Sequence, residues 1–188
     1  MREEKIEITV DVPPDVKAEL DGNLVRISGK RGKLEREFKH ARIHMVLKDG
    51  KFLISAEKPT RREKAIVGTW AAHIRNMMRG VTEGFEYRMK CVYAHFPIKV
   101  SVKGNELLIE NFLGEKLPRK AKILPDVKVV VKGNDLVLTG NDIEKIGLTA
   151  ANIERATRIK NYDNRVFQDG IYITAKAQKP MECGELNG

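Results

Sequence analysis

The chain repeats itself, and an internal repeat constrains a fold more than any single motif does. Three pairs of segments align in the same order, at offsets of 82, 84 and 79 positions. The aligned pairs are residues 16–27 with 98–109, residues 46–55 with 130–139, and residues 71–74 with 150–153. Because the three offsets nearly agree, the sequence predicts two copies of one domain.

Each copy contains two places where glycine stands beside Asp or Asn between segments of alternating polarity. Such pairs adopt the positive φ angles that tight hairpin turns require. The alternation, for example Ile98, Val100 and Val102 against charged or polar neighbours, predicts sheets that bury one face and expose the other. The predicted turns are Asp21-Gly22, Asp49-Gly50, Gly104-Asn105 and Gly133-Asn134.

A helix is predicted after the second hairpin of each copy. Thr60 and Glu63 have the spacing of a capping box, and Gly80 is the predicted stop. Asn141 and Glu144 predict the same cap in the second copy. The apolar stripes at helical spacing are Ile66, Val67, Trp70, Ile74, Met77 and Met78 in the first helix, and Ile143, Ile146, Ala150 and Ile153 in the second.

These elements predict an α+β protein of two tandem duplicated domains, each a small, mostly antiparallel sheet with one packed helix. We place the domains at residues 1–82 and 83–175. The second domain is predicted to begin with a strand in which Tyr87, Met89, Cys91 and Tyr93 alternate with charged residues. Residues 176–188 are polar, contain Gly and Pro, and are predicted to form a mobile tail.

Net charge and apolar runs limit the partners of the chain. Lys and Arg number 35 against 26 Asp and Glu, a net charge of +9, which favours an anionic partner. No segment approaches the roughly 20 apolar residues that span a bilayer, so no membrane partner is expected. Cys91 and Cys183 lie far apart in sequence, and reduced thiols in a cytosolic compartment are expected.

The sequence contains little evidence for a catalytic or metal-binding site. The chain has no strand-turn-helix Gly-x-Ser-x-Gly and no Walker A loop, and residues 29–33 are basic and glycine-rich without that spacing. His40 and His44 are four residues apart. In extended backbone their Cα atoms would lie about 13 Å from each other, which disfavours a shared metal ion. The sequence therefore predicts no enzyme, metal or cofactor.

Nucleic-acid binding is the hypothesis that the basic residues favour. The halves carry 20 basic and 14 acidic residues up to Ala94, and 15 and 12 after it, so total charge does not locate the binding domain. Local clustering with aromatic and amide side chains favours the second half and a folded RNA. The candidate RNA-binding residues are Lys116, Arg119, Lys120, Lys122, Arg155, Arg158, Lys160, Tyr162, Asn164, Arg165, Phe167 and Gln168, with Lys30, Arg31 and Lys33 as weaker candidates and Arg61, Arg62 and Lys64 as a further basic group.

Three other interpretations of the basic residues stay open at this point. A basic surface can serve solubility alone, because net charge speaks only weakly about partners. The duplicated domains also suit an adaptor between proteins, or an RNA-binding adaptor or processing factor.

Three segments of the second half resemble one known family. They are ENFLGEKLPRKA at residues 110–121, GLTAANIERATRI at residues 147–159 and NRVFQDGIYI at residues 164–173. Together with the doubled domain, they resemble the large-subunit ribosomal protein L-six family, called L-nine in eukaryotic cytosolic ribosomes. The resemblance runs from about Ile6 to Ala175, and residues 165–173 are similar to archaeal rather than bacterial members.

The resemblance implies a structural, non-enzymatic constituent of the large ribosomal subunit in the cytoplasm. It implies that the second domain binds large-subunit rRNA near the sarcin-ricin loop and the base of the stalk. It further implies RNA contacts along residues 114–122 and 160–172. Neighbouring large-subunit ribosomal proteins are implied as partners, with translational GTPases nearby.

Overall fold

The computed structural model describes residues 5–160, 162–163 and 165–178. The chain forms two compact units, the first ending at Glu83 and the second beginning at Gly84. Each unit has its own hydrophobic core, one long helix and antiparallel sheets. The predicted α+β fold of two tandem domains is confirmed. None of the helices in the described ranges is long and apolar enough to cross a membrane.

The first unit consists of two three-stranded antiparallel sheets and one helix. The sheets have the strand orders β1-β6-β5 and β2-β3-β4. The elements are β1 (Lys5–Asp11), β2 (Lys17–Asp21), β3 (Leu24–Gly29), β4 (Gly32–Glu37), β5 (Ile43–Lys48), β6 (Lys51–Glu57) and α1 (Arg61–Thr82).

Helix α1 covers the sheets of the first unit with the predicted apolar stripe. Ile74 and Val67 are fully buried, and Trp70 packs edge-on against Phe38 with ring centroids 5.3 Å apart. Burying one such aliphatic side chain is worth about 1.5–3 kcal/mol. The stripe and the core position of Trp70 are confirmed.

The two ends of α1 test the helix signals in the sequence. Thr60 is the N-cap, and the capping box with Glu63 is confirmed. The predicted stop at Gly80 is wrong, because Gly80 is buried inside the helix and α1 continues to Thr82. The helix ends where Gly84 adopts a φ of +78°, a conformation that glycine accepts without a side-chain clash.

The second unit contains a three-stranded and a four-stranded antiparallel sheet and one helix. The strand orders are β10-β9-β8 and β11-β12-β7-β13. The elements are β7 (Phe85–Val92), β8 (Lys99–Lys103), β9 (Glu106–Glu110), β10 (Arg119–Lys122), β11 (Lys128–Lys132), β12 (Asp135–Gly140), α2 (Ile143–Ala156) and β13 (Gly170–Gln178), with a short 3₁₀ turn at Phe112–Gly114.

Helix α2 packs Ile146, Ala150 and Ile153 against the second core, as the sequence predicts. The predicted cap at Asn141 is wrong. The N-cap is Asp142, whose Oδ1 accepts a hydrogen bond of 2.9 Å from the backbone N–H of Glu144. Asp142 stands in extended backbone directly before the first helical residue, so its carboxylate is the one that reaches this N–H group.

All four predicted hairpins are confirmed, joining β2 to β3, β5 to β6, β8 to β9 and β11 to β12. The glycine of each turn has a positive φ between 58° and 70°. Residues 29–33 form a further hairpin between β3 and β4. Strand β7 also alternates as predicted, with Met89 and Cys91 buried, whereas Tyr93 lies beyond the strand and is exposed.

Two segments of the second unit have no counterpart in the described part of the first. The turn between β3 and β4 is only Lys30 and Arg31, whereas residues 111–118 connect the equivalent strands β9 and β10. Strand β13 pairs with β7, whereas β1, the equivalent of β7, has no strand on its other side among the described residues. Strand β13 includes residues 176–178 of the predicted tail, and residues 179–188 lie outside the described residues.

Candidate nucleic-acid interface

The connection between β9 and β10 is an ordered loop, defined here as residues 111–118. Phe112 is buried in the second core, and the Asn111 side chain donates a 3.1 Å hydrogen bond to the carbonyl of Pro97. Asn111, Leu113 and Gly114 have φ values of 59°, 51° and 75°. Left-handed backbone at Asn111 and Leu113 costs energy, so the surrounding contacts must hold the loop in this shape.

Arg119 is the main contact that holds the loop, and four of its N–H groups are used inside the chain. Nε donates to Glu115 Oε2 at 2.8 Å, and Nη2 donates to the other carboxylate oxygen. Nη1 donates to the carbonyls of Ala156 and Arg158 at 2.9 and 3.1 Å. The guanidinium carbon also lies 4.2 Å from the ring centre of Phe112, a cation–π contact.

The hydrogen bonds of Arg119 have two consequences. They hold the pKa of the Glu115 carboxyl below its usual range. They also fasten the loop to the C-terminal end of α2, where unpaired helix carbonyls favour a positive charge. Two groups of candidate residues that are distant in sequence therefore meet at this helix end.

The three lysines around Arg119 are all exposed. Lys120 Nζ lies 3.2 Å from Glu106 on the neighbouring strand, and both side chains are largely exposed. Within the described residues, Lys116 and Lys122 form no ion pair. Such surface charges remain available to a phosphate, because an exposed pair like Lys120 with Glu106 is worth only about 0–1 kcal/mol.

Helix α2 also covers the outer edge of β13 through two side chains. The Thr157 hydroxyl accepts a 3.2 Å hydrogen bond from the Ile171 N–H, and it is buried. Glu154 Oε1 accepts a 3.0 Å bond from the Ile173 N–H. An exposed strand edge is otherwise open to pairing with another chain, and these side chains satisfy it at the first part of β13.

An open groove of about 600 Å³ lies between the end of α2 and the start of β13. Arg155, Arg158, Phe167 and Gln168 line it, so four predicted residues are brought together there. The other lining residues are Ala151, Glu154, Thr157, Ile159, Ile171 and Tyr172.

The remaining predicted residues of this region do not line the groove, but they lie close in sequence to residues that do. Lys160 and Arg165 are exposed, and the Tyr162 ring lies 4.9 Å from the Phe167 ring between centroids. The Asp163 carbonyl accepts hydrogen bonds from the N–H groups of residues 166 and 167, which fixes a turn. Asn164 lies outside the described residues.

Two of the three weaker candidates in the first unit, Lys30 and Arg31, have internal partners. Arg31 Nη1 donates to the Glu83 carbonyl at 2.9 Å, and its backbone N–H donates to the Val81 carbonyl. Lys30 Nζ lies 3.4 Å from Asp15, and Lys33 is exposed. Arg31 thus binds the C-terminal end of α1 in the way that Arg119 binds that of α2.

Within the described ranges, no group of three or more histidine, cysteine or acidic side chains is placed to hold a metal ion. Cys91 is buried in the second core, and burial raises the pKa of its thiol to about 11. The thiol is therefore protonated at neutral pH and is a poor nucleophile.

Sequence reasoning missed the roles of Glu154, Thr157 and Tyr172. Thr157 and Glu154 accept hydrogen bonds from residues of β13 that lie 14 and 19 positions further along the chain. No local sequence pattern predicts such contacts. Tyr172 is the last residue of the range 160–172 along which the resemblance implies RNA contacts, but it is not one of the individually predicted residues. Its alternation with Ile171 and Ile173 could have placed it on the exposed face of β13.

The fold defines a class, an α+β protein of two tandem, duplicated domains, and in the second unit the predicted basic residues cluster at the end of α2. The model of the family described as Ribosomal protein L6, the L-six family of the sequence resemblance, matches residues 12–84 and 96–170, once in each unit. The chain belongs to this family, whose members are structural, non-enzymatic components of the cytoplasmic large ribosomal subunit.

Three archaeal relatives named "Large ribosomal subunit protein uL6" extend this finding. The relative from Ignicoccus hospitalis is 52% identical over 172 residues, which cover 89% of this chain and 92% of the relative. The Archaeoglobus fulgidus relative is 49% identical and covers 90% and 89%, and that of Methanosarcina mazei is 47% identical and covers 90% and 96%. The resemblance to archaeal members is confirmed.

Proposed function

We propose that this chain binds large-subunit rRNA through its second unit, near the sarcin-ricin loop and the base of the stalk. It acts as a structural constituent that holds this RNA in place during translation. Neighbouring large-subunit proteins are its other partners, and translational GTPases bind nearby. The location on the rRNA and the choice of the second unit both come from the family resemblance, and the geometry described above supports the choice of unit.

The observation that carries the proposal is the meeting of three segments at the C-terminal end of α2. The loop of residues 111–118, the end of the helix and the connector to β13 all carry candidate RNA-binding residues. Arg119 joins the loop to the helix end through Glu115 and two carbonyls, and the Thr157 hydroxyl joins the helix end to Ile171 of β13, into which the connector leads. The first unit repeats the scaffold without the long loop or, within its described part, the extra strand.

The exposed cations of this region supply the binding energy in the proposal. Arg155, Arg158, Lys160 and Arg165 form no ion pair with another described residue. A phosphate that replaces water at such a side chain releases condensed counterions from the RNA. The affinity therefore falls as the salt concentration rises. The slope of log affinity against log salt is proportional to the number of phosphates that the protein contacts.

A salt titration with a large-subunit rRNA transcript tests the proposal. Five or six phosphate contacts predict a slope of about −4 to −5 for log affinity against log salt. The double variant Arg158→Gln/Arg165→Gln is expected to flatten the slope by about one to two units.

The matched control for this titration is Lys17→Gln/Lys48→Gln, which removes the same charge from exposed positions of the first unit. We expect the control to keep the wild-type slope. Equal slopes in wild type and the Arg158/Arg165 variant would contradict the proposed contact surface. No binding to the transcript, together with binding to a neighbouring ribosomal protein that persists at high salt, would instead favour the protein adaptor.

A further inference from the structure

The groove at the end of α2 differs from the exposed cations around it, because it combines charge with an apolar floor. Ala151, Ile159 and Ile171 provide aliphatic surface, and Arg155 and Arg158 provide the positive charge. Its volume of about 600 Å³ falls in the range of about 300–1,000 Å³ that is typical of small-ligand sites. Such a site is too small for a helix of RNA and large enough for one nucleotide.

Two aromatic rings at the groove are held in place by the chain. The Tyr172 hydroxyl donates a 3.1 Å hydrogen bond to the carbonyl of Gln168. A Cβ atom at Gly170 would lie 3.0 Å from the Tyr172 ring, so the ring rests on a position that has no side chain. Tyr172 nevertheless remains 47% exposed, and Phe167 is half-buried, with its ring tilted by 56° against the Tyr162 ring.

The acidic and hydroxyl groups of the groove are already used, which leaves cationic and amide groups for a ligand. The Glu154 carboxylate and the Thr157 hydroxyl accept hydrogen bonds from β13. Arg155, Arg158 and the Gln168 side chain are exposed and make no side-chain hydrogen bond to another described residue. The ligand that complements this set has a negative charge, hydrogen-bonding edges and a flat aromatic face.

We propose that the groove receives a single unstacked nucleotide of the bound RNA. The base stacks on Tyr172 or Phe167, the Gln168 amide reads its edge, and the two arginines hold the adjoining phosphates. Bases inside an RNA helix are stacked and their edges are poorly accessible, so the nucleotide comes from a bulge, loop or junction. This inference rests on the proposed function and adds the kind of RNA element that is recognised.

The test compares two twelve-nucleotide probes with the full chain, oligouridine and an oligonucleotide of the same length that lacks bases. Both probes carry the same phosphates and therefore the same electrostatic attraction. Stacking of one base is typically worth enough to change affinity about tenfold or more. We expect the wild type to prefer oligouridine by about tenfold and Tyr172→Leu to lose most of this preference at an unchanged salt slope.

Two variants serve as controls for Tyr172→Leu. Tyr172→Phe keeps the ring and loses the hydroxyl, so it is expected to keep the preference. Tyr93→Leu removes another exposed tyrosine ring of the same unit, which is 37% exposed and does not line the groove, and is expected to behave as wild type. If circular dichroism shows that Tyr172→Leu does not fold, Phe167→Leu tests the other wall of the groove.

The outcomes separate this inference from the proposed function. A preference for bases that survives in Tyr172→Leu and Phe167→Leu would overturn the groove as the base site. Equal wild-type binding to both probes, with a steep salt slope, would overturn the inference and leave the proposed RNA binding intact. If neither probe nor the rRNA transcript bound at low salt, the proposed function itself would fail. Displacement of oligouridine by an oligoglutamate peptide at equal concentration would assign the groove to an acidic protein segment instead.

Discussion

At the scale of single residues, the structure distinguishes cations that hold the protein together from cations that face solvent. Arg119 and Lys122 look alike in the sequence, since both belong to one basic stretch without acidic residues. The Arg119 side chain is only 23% exposed, and its guanidinium binds one carboxylate and two carbonyls at the end of α2, whereas Lys122 is exposed. We infer that Arg119 positions the loop and that Lys122 contacts phosphate.

Replacing these two residues separately is expected to give opposite signatures. Arg119→Ala removes hydrogen bonds of a charged group and is expected to lower the free energy of unfolding by about 1.5–3 kcal/mol. Its affinity for the rRNA transcript should fall at an unchanged salt slope. Lys122→Ala should change stability by less than about 0.5 kcal/mol and flatten the slope by about 0.7–0.9.

Urea denaturation and salt titration measure the two signatures. Lys103→Ala, at another exposed lysine of the same unit, is the control for Lys122. A flatter slope in Arg119→Ala would mean that its guanidinium contacts RNA after all.

The Cys91 thiol provides a second test at this scale. Burial raises its pKa to about 11, so at pH 8 it is almost entirely protonated and shielded. In a Cys183→Ser background, which leaves Cys91 as the sole thiol, iodoacetamide is expected to react at least about a hundredfold more slowly than in urea-unfolded protein. Reaction of the folded protein at the rate of a free thiol would show that the second core is open at β7.

At the scale of elements, the helix caps and the turns are where the sequence is most informative. A capping box and a glycine beside Asp or Asn are local, because the groups that interact lie within three or four residues. The predicted cap at Asn141 and stop at Gly80 failed because neighbouring residues, Asp142 and Gly84, offer the same chemistry. A rule based on residue type alone cannot choose between nearby residues that are both suited to cap or end a helix.

The capping box of α1 is expected to contribute measurably to stability. Thr60→Ala removes the oxygen that accepts the Glu63 N–H, and such N-cap substitutions cost about 0.5–2 kcal/mol. Thr69→Ala is the matched control, because Thr69 is exposed in the middle of the same helix and alanine is the better helix former. In urea denaturation the control should be neutral or slightly stabilising. Equal destabilisation by both substitutions would contradict a capping role.

The same cap predicts a dependence of stability on pH. A hydrogen bond from the Thr60 backbone N–H is the main cause that holds the pKa of Glu63 below its usual value, with Arg42 nearby adding to it. A lowered folded-state pKa adds stability above the unfolded pKa, and this stability is lost as pH falls through the folded pKa.

Comparison of wild type with Glu63→Gln isolates this charge, since Gln keeps the capping geometry. The wild type is expected to be more stable at pH 6, and the difference should shrink as the pH falls below about 4. A difference that stayed constant from pH 6 to pH 3 would show that the charge of Glu63 makes no contribution.

At the scale of the whole molecule, the duplication explains both what the sequence predicts and what it does not. The repeat fixes two α+β domains, and the clusters at residues 116–122 and 155–168 indicate the second unit. The meeting of these clusters depends on long-range contacts, such as Arg119 with the carbonyls of Ala156 and Arg158. Such contacts join residues with no common motif, so only the fold reveals them.

The two units share one scaffold, and the additional elements of the second unit are consistent with different roles for the two. The β3–β4 turn and the β9–β10 loop occupy equivalent places, and in each an arginine binds the end of the helix. Only the second unit adds the long loop and β13 to this arrangement among the described residues. In the proposed function, the first unit is the supporting copy and the second unit is the copy that binds RNA.

Ultraviolet crosslinking of purified large ribosomal subunits that contain this chain, followed by mass spectrometry of the RNA-linked peptides, tests the central claim most directly. The account predicts that the crosslinked peptides map to residues 111–122 and 155–172. Crosslinks found only in the first unit, before residue 84, would contradict it.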